Sequence, residues 1–162
     1  MDLSMISLDV VGYVRVNYTD EYVKEHSGEV EGIVEVLPKF TDALEGIEEY
    51  SHIFLISYLH KQADASRNVL KVRPRRLLRM GLEFKDLPIV GVFATDSPTP
   101  PNPVGLTLVK LLGRKENLLH VWGLDLFNET PIIDIKPYSS SYRASEYKVP
   151  LWASKFDERK PI

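Results

Sequence analysis

Cysteine is absent from the 162-residue chain, which excludes disulfides, thiolate metal sites and a cysteine nucleophile. Long apolar runs are also missing, because no segment approaches the about 20 consecutive apolar residues that a membrane helix needs. The acidic start of the chain lacks the pattern of a secretory signal peptide. We therefore expect a cytoplasmic protein with no membrane partner.

Glycine is widely spaced, and no two of the nine glycines are separated by a single residue. This spacing excludes a G-x-G-x-x-G dinucleotide loop and the glycine-rich loop of a Rossmann-type methyltransferase. Walker A and G-x-S-x-G sequences are absent as well, and the four histidines form neither H-x-H nor H-E-x-x-H. We therefore expect no metal site and none of the common nucleotide-binding or hydrolase signatures.

Positive charge is not in excess: the formal net charge is −3 at pH 7, so RNA binding would require a local basic patch. The only basic concentration is KVRPRRLLR, which begins at Lys71. If this segment runs extended, Lys71, Arg73 and Arg75 share one face and suit phosphate groups. A strand edge that is protected by charge and by Pro74 explains the same residues equally well.

Short apolar segments with β-branched and aromatic residues recur along the chain between turn signals. They predict strands at residues 10–16, 30–37, 52–60, 69–73, 89–95, 105–112, 118–124 and 132–135. Residues 40–50 favour a helix that Gly46 weakens, and residues 76–80 are compatible with a helical turn. The pattern predicts a mainly β fold: a single small, mostly antiparallel β-barrel with a short helix and an extended C-terminal tail.

The last part of the chain is polar with embedded aromatic residues. We expect a barrel domain over residues 1–138, followed by a tail over residues 139–162 that packs on the barrel or on a partner subunit. Tyr147, Leu151 and Trp152 are the expected anchors of this tail. A partly disordered end is the alternative.

Two histidines fall in one predicted strand. His52 and His60 are eight residues apart and would lie on the same face, but too far apart to share a metal ion at about 3.3 Å per residue. His60 stands at the predicted end of the strand, where a site can form, whereas His52 is expected to be structural.

Polar residues also mark a turn and a surface pair near the end of the barrel sequence. Asp125, Asn128, Glu129 and Thr130 separate two predicted strands, and such residues commonly bond their own backbone. Asp134 and Lys136 alternate on the second of these strands and predict a surface ion pair.

The segment between Gly91 and Leu112 contains a proline-dense loop, because four of the six residues from Pro98 to Pro103 are proline. Each proline ring fixes one backbone angle, so the loop costs little entropy to order. A stiff, irregular loop between two apolar segments suits a binding surface.

Four segments together carry a resemblance to a known family. In chain order they read GIEEYSHIFLISYLH, VRPRRL, GVFATDSPTPPNPVGLT and PIIDIKPY. The third is similar to the pattern G-V-F-A-T-R-S-P-x-R-P-N-P-I-G-L-S, and the fourth, with the preceding turn, is similar to D-G-T-P-[VL]-[LV]-D-I-K-P-Y. The chain thus resembles the TrmO family of tRNA methyltransferases.

The resemblance implies a small β-barrel, usually a homodimer, that binds S-adenosyl-L-methionine without a Rossmann fold. It implies methylation of the threonylcarbamoyl-modified adenosine beside the tRNA anticodon, and it leaves the catalytic residue unassigned. The cofactor-binding positions carried over by the resemblance are His60, Lys61, Asp96, Leu106, Asn128, Glu129, Thr130 and Pro131. The expected contacts to tRNA are Lys71, Arg73, Arg75 and Arg76.

The chain departs from the family pattern at charged positions. Asp96 stands where the family has the arginine of F-A-T-R, and Pro100 replaces a second arginine. Asn128 and Glu129 replace the aspartate and glycine of D-G-T-P. These changes keep two alternatives open, namely a different methyl acceptor and a non-catalytic dimeric barrel that serves in interactions.

Overall fold

The structure is a computed structural model that describes residues 5–62 and 68–157. It contains two compact units. One is drawn from Met1–Tyr58 and Gly105–Ser145, and the other from Leu59–Val104 and Glu146–Pro161. These units do not follow the expected division at residue 138, and that division into domain and tail stays a prediction.

The described residues form eight strands and two α-helices. The strands are β1 Gly12–Arg15, β2 Val30–Val36, β3 His52–Tyr58, β4 Lys71–Val72, β5 Val90–Gly91, β6 Val104–Lys115, β7 Leu118–Leu124 and β8 Pro131–Pro137. The α-helices are α1 Asp20–Glu25 and α2 Leu151–Asp157. Short 3-10 helices include Pro38–Leu44, Ile47–Glu49, Arg75–Met80, Phe84–Asp86, Val92–Ala94 and Ser140–Tyr142.

Six strands close a barrel in the order β1-β2-β7-β6-β3-β8. The registered pairs run antiparallel, with Val14 opposite Val34 and Leu55 opposite Ile135. The mainly β, antiparallel barrel expected from the sequence is therefore confirmed.

Side chains alternate along the barrel strands between buried and partly exposed positions. In β3, Ile53, Leu55 and Ser57 are buried while their neighbours are not, as period-two geometry requires. Val14 of β1 and Leu119 of β7 are also fully buried. Burying each large apolar side chain stabilises the fold by about 1.5–3 kcal/mol, so the barrel interior supplies the main core of this unit.

The expected helix over residues 40–50 is wrong in type. The chain forms two 3-10 helices instead, Pro38–Leu44 and Ile47–Glu49, and Gly46 between them has a left-handed φ of 81°. Only glycine adopts that conformation without steric cost, and its backbone breaks the helical run. The helix α1 was not predicted, although the Thr19 side chain caps it by accepting a hydrogen bond from the N–H of Tyr22.

Five predicted strands are shorter than expected, and three of them bear on the predicted site. β3 ends at Tyr58, so His60 lies beyond the strand and does not share a strand face with His52. Residues 89–95 form a strand only over Val90–Gly91, because the chain then turns and the N–H and hydroxyl of Thr95 both donate to the Val92 carbonyl. β4 ends before Pro74, which lacks the N–H that a strand would use.

The second unit has its own small core. β4 and β5 pair antiparallel, with Val72 opposite Val90. The helical turn considered for residues 76–80 is confirmed as the 3-10 helix Arg75–Met80. Leu77, Leu87 and Val92 are buried at its centre. Over the described residues, no helix has the length and apolar character needed to cross a membrane.

Candidate cofactor turn and basic groove

The turn between β7 and β8 is held against β1. The side-chain oxygen of Asn128 accepts a hydrogen bond from the N–H of Val16 at 3.2 Å. The N–H of Glu129 donates to the carbonyl of Val14 at 2.8 Å, and the N–H of Val14 donates to the carbonyl of Thr130 at 3.0 Å. The turn expected at Asn128–Thr130 is therefore confirmed, and it is fixed by three bonds to one neighbouring strand.

Glu129 adopts a left-handed backbone conformation, with φ of 63°. This conformation is easy for glycine and costs other residues energy, which explains why a glycine fits the corresponding position of the D-G-T-P pattern. The Glu129 carboxylate lies 3.6 Å from a guanidinium nitrogen of Arg15, and Arg15 also pairs with Glu35 at 2.6 Å. The turn thus carries an exposed carboxylate on a fixed backbone.

A second contact joins this turn to β6. The buried hydroxyl of Thr107 donates to the carboxylate of Asp125 at 2.6 Å. Leu106, the residue before Thr107, leaves 68% of its surface exposed, whereas Thr130 is buried. Asn128, Glu129, Thr130 and Pro131 therefore lie together in one turn. Leu106 lies on β6, next to Thr107, which bonds to Asp125 at the start of the connection that contains the turn.

The remaining predicted cofactor residues belong to the second unit. The N–H of Gln62 donates to the carbonyl of Leu59, so that His60 and Lys61 occupy a turn. The N–H of Leu59 donates to the carbonyl of Pro103 at 2.7 Å. This bond ties the start of the His60 turn to the end of the proline-dense loop. Asp96 lies shortly before the start of that loop.

A groove of about 1140 Å³ crosses the second unit. All four residues expected to contact tRNA line it, namely Lys71, Arg73, Arg75 and Arg76. They do not share one strand face as expected, because the strand ends at Val72 and Arg75 begins a 3-10 helix. All four nevertheless line the same groove, with Arg75 and Arg76 on the 3-10 helix and Lys71 on β4. The local basic patch that RNA binding would require is therefore present.

Aromatic rings stand among these cations. Phe93, in the short turn after β5, is 83% exposed, which is unusual for a large apolar side chain. The Arg73 guanidinium lies 5.3 Å from the centre of the Phe84 ring and donates to the carbonyl of Leu87. Phe84, Phe93 and Trp152 all line the groove. The pattern around Phe93 is that of a strand and does not predict this exposure.

Asp96 lines the same groove as the basic segment. Within the described part of the chain, it takes part in neither an ion pair nor a hydrogen bond. Likewise, among the described residues, the side chains of Lys71 and Arg75 take part in neither. These charges are therefore available to a ligand.

Other features lie away from these sites. The surface pair of Asp134 and Lys136 is confirmed at 2.6 Å, and the hydrogen bond that Lys136 donates to the Asp134 carboxylate raises the pKa of Lys136. A cavity of about 480 Å³ in the first unit is lined mainly by apolar residues around Phe40, and none of the predicted site residues lines it. The described residues include no group of three His, Asp or Glu that could hold a metal ion.

Comparison with known proteins identifies the family. Residues 23–144 match the domain described as the tRNA-methyltransferase O N-terminal domain. This chain belongs to the TrmO family. A relative from Methanothermobacter thermautotrophicus, described as a probable S-adenosyl-L-methionine-binding protein, is 41% identical over 136 residues, which are 82% of this chain and 90% of the relative. The human tRNA (adenine(37)-N6)-methyltransferase is 38% identical over 100 residues, 62% of this chain and 21% of the human protein.

Solved TrmO structures share the fold. A crystal structure of TrmO has a TM-score of 0.67 and 30% identity, covering 89% of this chain and 62% of that chain. TrmO from Pseudomonas aeruginosa has a TM-score of 0.68 and 26% identity, covering 91% of this chain and 62% of its own. A probable S-adenosyl-L-methionine-binding protein of Pyrococcus abyssi is 39% identical over 73% of this chain, which spans 58% of that relative. The chain thus spans less than two thirds of several TrmO relatives.

Proposed function

We propose that this chain is an S-adenosyl-L-methionine-dependent methyltransferase that acts on tRNA, with the threonylcarbamoyl-modified adenosine beside the anticodon as acceptor. The observation that carries the proposal is the family match over residues 23–144. Two relatives support it, since one is described as a probable S-adenosyl-L-methionine-binding protein and the other is the human tRNA (adenine(37)-N6)-methyltransferase.

We propose that the Asn128–Pro131 turn and Leu106 of the first unit contact the cofactor. The resemblance also carries His60 and Lys61 over as cofactor-binding positions. The turn suits this ligand because S-adenosyl-L-methionine carries a net positive charge, and Glu129 provides an exposed carboxylate on a fixed backbone. The exposed side chain of Leu106 offers apolar surface, which an adenine ring requires. Asp96, the eighth residue carried over by the resemblance, lines the basic groove.

The bound cofactor supplies an activated methyl group. Methyl transfer is an in-line displacement, so positioning of the two reactants and a preorganised electrostatic field can supply much of the acceleration. The turn is suited to positioning because three hydrogen bonds hold it to β1 and to Val16, the residue that follows β1. No residue is assigned as a base, and the acceptor nitrogen would release its proton to solvent.

The activity is tested by incubating the protein with S-adenosyl-L-methionine and two tRNA preparations, one carrying and one lacking the threonylcarbamoyl group. We expect a new methylated nucleoside, detected by mass spectrometry after digestion, only from the carrying preparation. Methylation of both preparations would retain the methyltransferase and overturn the specific acceptor. No new nucleoside from either would contradict tRNA methylation altogether.

The cofactor turn is tested with a matched pair of variants. Glu129 and Glu116 are both exposed glutamates with left-handed φ angles, of 63° and 54°, and Glu116 lies in the β6–β7 hairpin. Calorimetric titration should show that Glu129→Lys weakens binding of S-adenosyl-L-methionine several-fold, while Glu116→Lys leaves the affinity unchanged. Equal affinities for both variants would place the cofactor elsewhere.

A second candidate is a methyltransferase with a different acceptor, favoured by the charge reversal at Asp96 and by Pro100. It predicts cofactor binding together with weak, salt-insensitive binding of tRNA. A non-catalytic interaction module is the third candidate, and the absence of cofactor binding in the titration would favour it. We also propose that the protein is a cytoplasmic homodimer, which light scattering and cell fractionation test.

A further inference from the structure

The basic groove combines two features that single-stranded RNA requires. Four cations line it, which suits a chain of phosphates. Exposed aromatic rings line it as well, which suits unstacked bases. The groove is unsuited to S-adenosyl-L-methionine, because four cations and one carboxylate would repel a ligand with net positive charge.

We propose that this groove binds a single-stranded segment of the RNA substrate, that Phe93 stacks on one unpaired base, and that Asp96 recognises the amino group of that base. This inference rests on the proposed tRNA methyltransferase function and extends it to base recognition. It also assigns Asp96 to the RNA rather than to the cofactor.

Phe93 is presented on a rigid support. The preceding Val92 is buried, and its N–H donates to the carbonyl of Leu70 at 3.0 Å. Both the N–H and the hydroxyl of Thr95 close the turn by donating to the Val92 carbonyl. The ring is therefore exposed without being on a loosely held segment, and a base that stacks on it loses little additional entropy from the protein.

Among the described residues that line the groove, Asp96 is the one acidic side chain. Its ionised carboxylate only accepts hydrogen bonds, so it repels phosphate and the two keto oxygens of uracil, between which uracil has only one ring N–H to donate. It can accept from the exocyclic amino group of cytosine. A single carboxylate in a basic groove therefore adds base selectivity where the cations give only affinity.

Fluorescence polarisation with two labelled oligoribonucleotides tests this selectivity. One is an oligouridine, and the other has a single central cytidine in place of uridine. We expect the parent protein to bind the cytidine probe about tenfold more tightly, as one good polar contact to a base allows. Asp96→Asn should remove the preference, because an amide both donates and accepts. Equal binding of the two probes by the parent protein would overturn the role of Asp96.

Further variants separate stacking from charge. Phe93→Ala should weaken both probes about tenfold through lost stacking, whereas Leu151→Ala, an equally exposed apolar residue outside the groove lining, should not. Arg75→Ala should reduce the slope of log affinity against log salt concentration by about one, as expected for the loss of one phosphate contact. Lys85, which pairs with Glu83 and does not line the groove, provides the charge control as Lys85→Ala.

The failure of this inference is distinguishable from that of the proposed function. Cofactor binding and tRNA methylation without any effect of the Phe93 and Asp96 variants would overturn the groove assignment alone. A large loss of S-adenosyl-L-methionine affinity in the Asp96→Asn variant would show that Asp96 contributes to cofactor binding, and would contradict its assignment to RNA. Heparin that competes equally well against both probes, with no base preference, would reduce the groove to a general polyanion site and contradict base recognition.

Discussion

Replacing Glu129 with glycine should stabilise the protein, although it removes an ion pair. Glu129 has a φ of 63° in the β7–β8 turn, and its carboxylate lies 3.6 Å from Arg15. The substitution relieves the left-handed strain and removes the carboxylate in the same step. The outcome therefore measures which of the two effects is larger.

The magnitudes favour relief of strain. A left-handed conformation costs a residue with a side chain about 1–2 kcal/mol, while glycine gains unfolded-state entropy worth about 0.5–1 kcal/mol. The lost pair is solvent-exposed, and such pairs contribute about 0–1 kcal/mol. Arg15 also keeps its closer partner Glu35, at 2.6 Å. The expected net gain is about 0.5 kcal/mol in the free energy of unfolding.

Urea unfolding of four variants checks this balance. Glu129→Gly and Glu116→Gly share the strain relief, because Glu116 has a φ of 54°, so both should raise the unfolding midpoint. Glu129→Val should lower the free energy of unfolding by about 1–2 kcal/mol relative to the parent, since a β-branched residue tolerates this conformation poorly, and Glu129→Gln removes the charge alone. A destabilised Glu129→Gly beside a stabilised Glu116→Gly would show that the Arg15 contact outweighs the strain and would refute the reasoning.

Three further predictions concern stability. Asn128→Ala should lower the free energy of unfolding by about 1 kcal/mol, because the N–H of Val16 loses its acceptor; Asn128→Asp keeps an acceptor and should unfold near the parent midpoint in urea. Leu55→Ala should cost about 2–5 kcal/mol by opening a cavity in the barrel core, measured by thermal or urea unfolding. The pKa of Glu48 is lowered, chiefly by a backbone hydrogen bond and then by Arg114. The contribution of Glu48 to stability is therefore present above the ordinary glutamate pKa and is lost as the pH falls through the lowered pKa. Glu48→Gln should flatten the acid limb of the plot of unfolding free energy against pH. An unchanged plot would contradict this assignment.

Much of the barrel could be predicted because its signal is local. Alternation of buried and exposed residues in segments such as His52–Tyr58 follows directly from strand geometry. The family motifs added what periodicity lacks, namely the chemistry expected at the Asn128 turn. The structure confirms that turn and shows what holds it in place. The turn forms hydrogen bonds with residues in and just after β1, which lie more than a hundred positions earlier in the sequence.

The second unit was harder to predict because its elements are short. Strands of two residues, such as Lys71–Val72, leave no periodicity to detect, and Pro74 then redirects the chain. The exposure of Phe93 depends on a turn that the Thr95 hydroxyl closes. In the sequence, threonine at this position is equally typical of a strand. The cations do line one groove as expected, but their geometry is not that of a strand face. Arg75 and Arg76 lie on a 3-10 helix, whose side chains repeat every three residues instead of every two.

The two candidate sites differ in charge in the way that their proposed ligands require. A cationic cofactor is favoured by a carboxylate such as Glu129, and a polyanionic RNA is favoured by cations such as Arg75. In the family pattern these positions are occupied by glycine at the turn and by an arginine near the groove, where this chain has Glu129 and Asp96. Adding negative charge at the turn should strengthen attraction of the cofactor, while adding it at the groove should weaken overall attraction of RNA. If the substrate is tRNA, a specific contact made by Asp96 would offset the second change, and a hydrogen bond from an amino-bearing base is a contact that a lone carboxylate can provide.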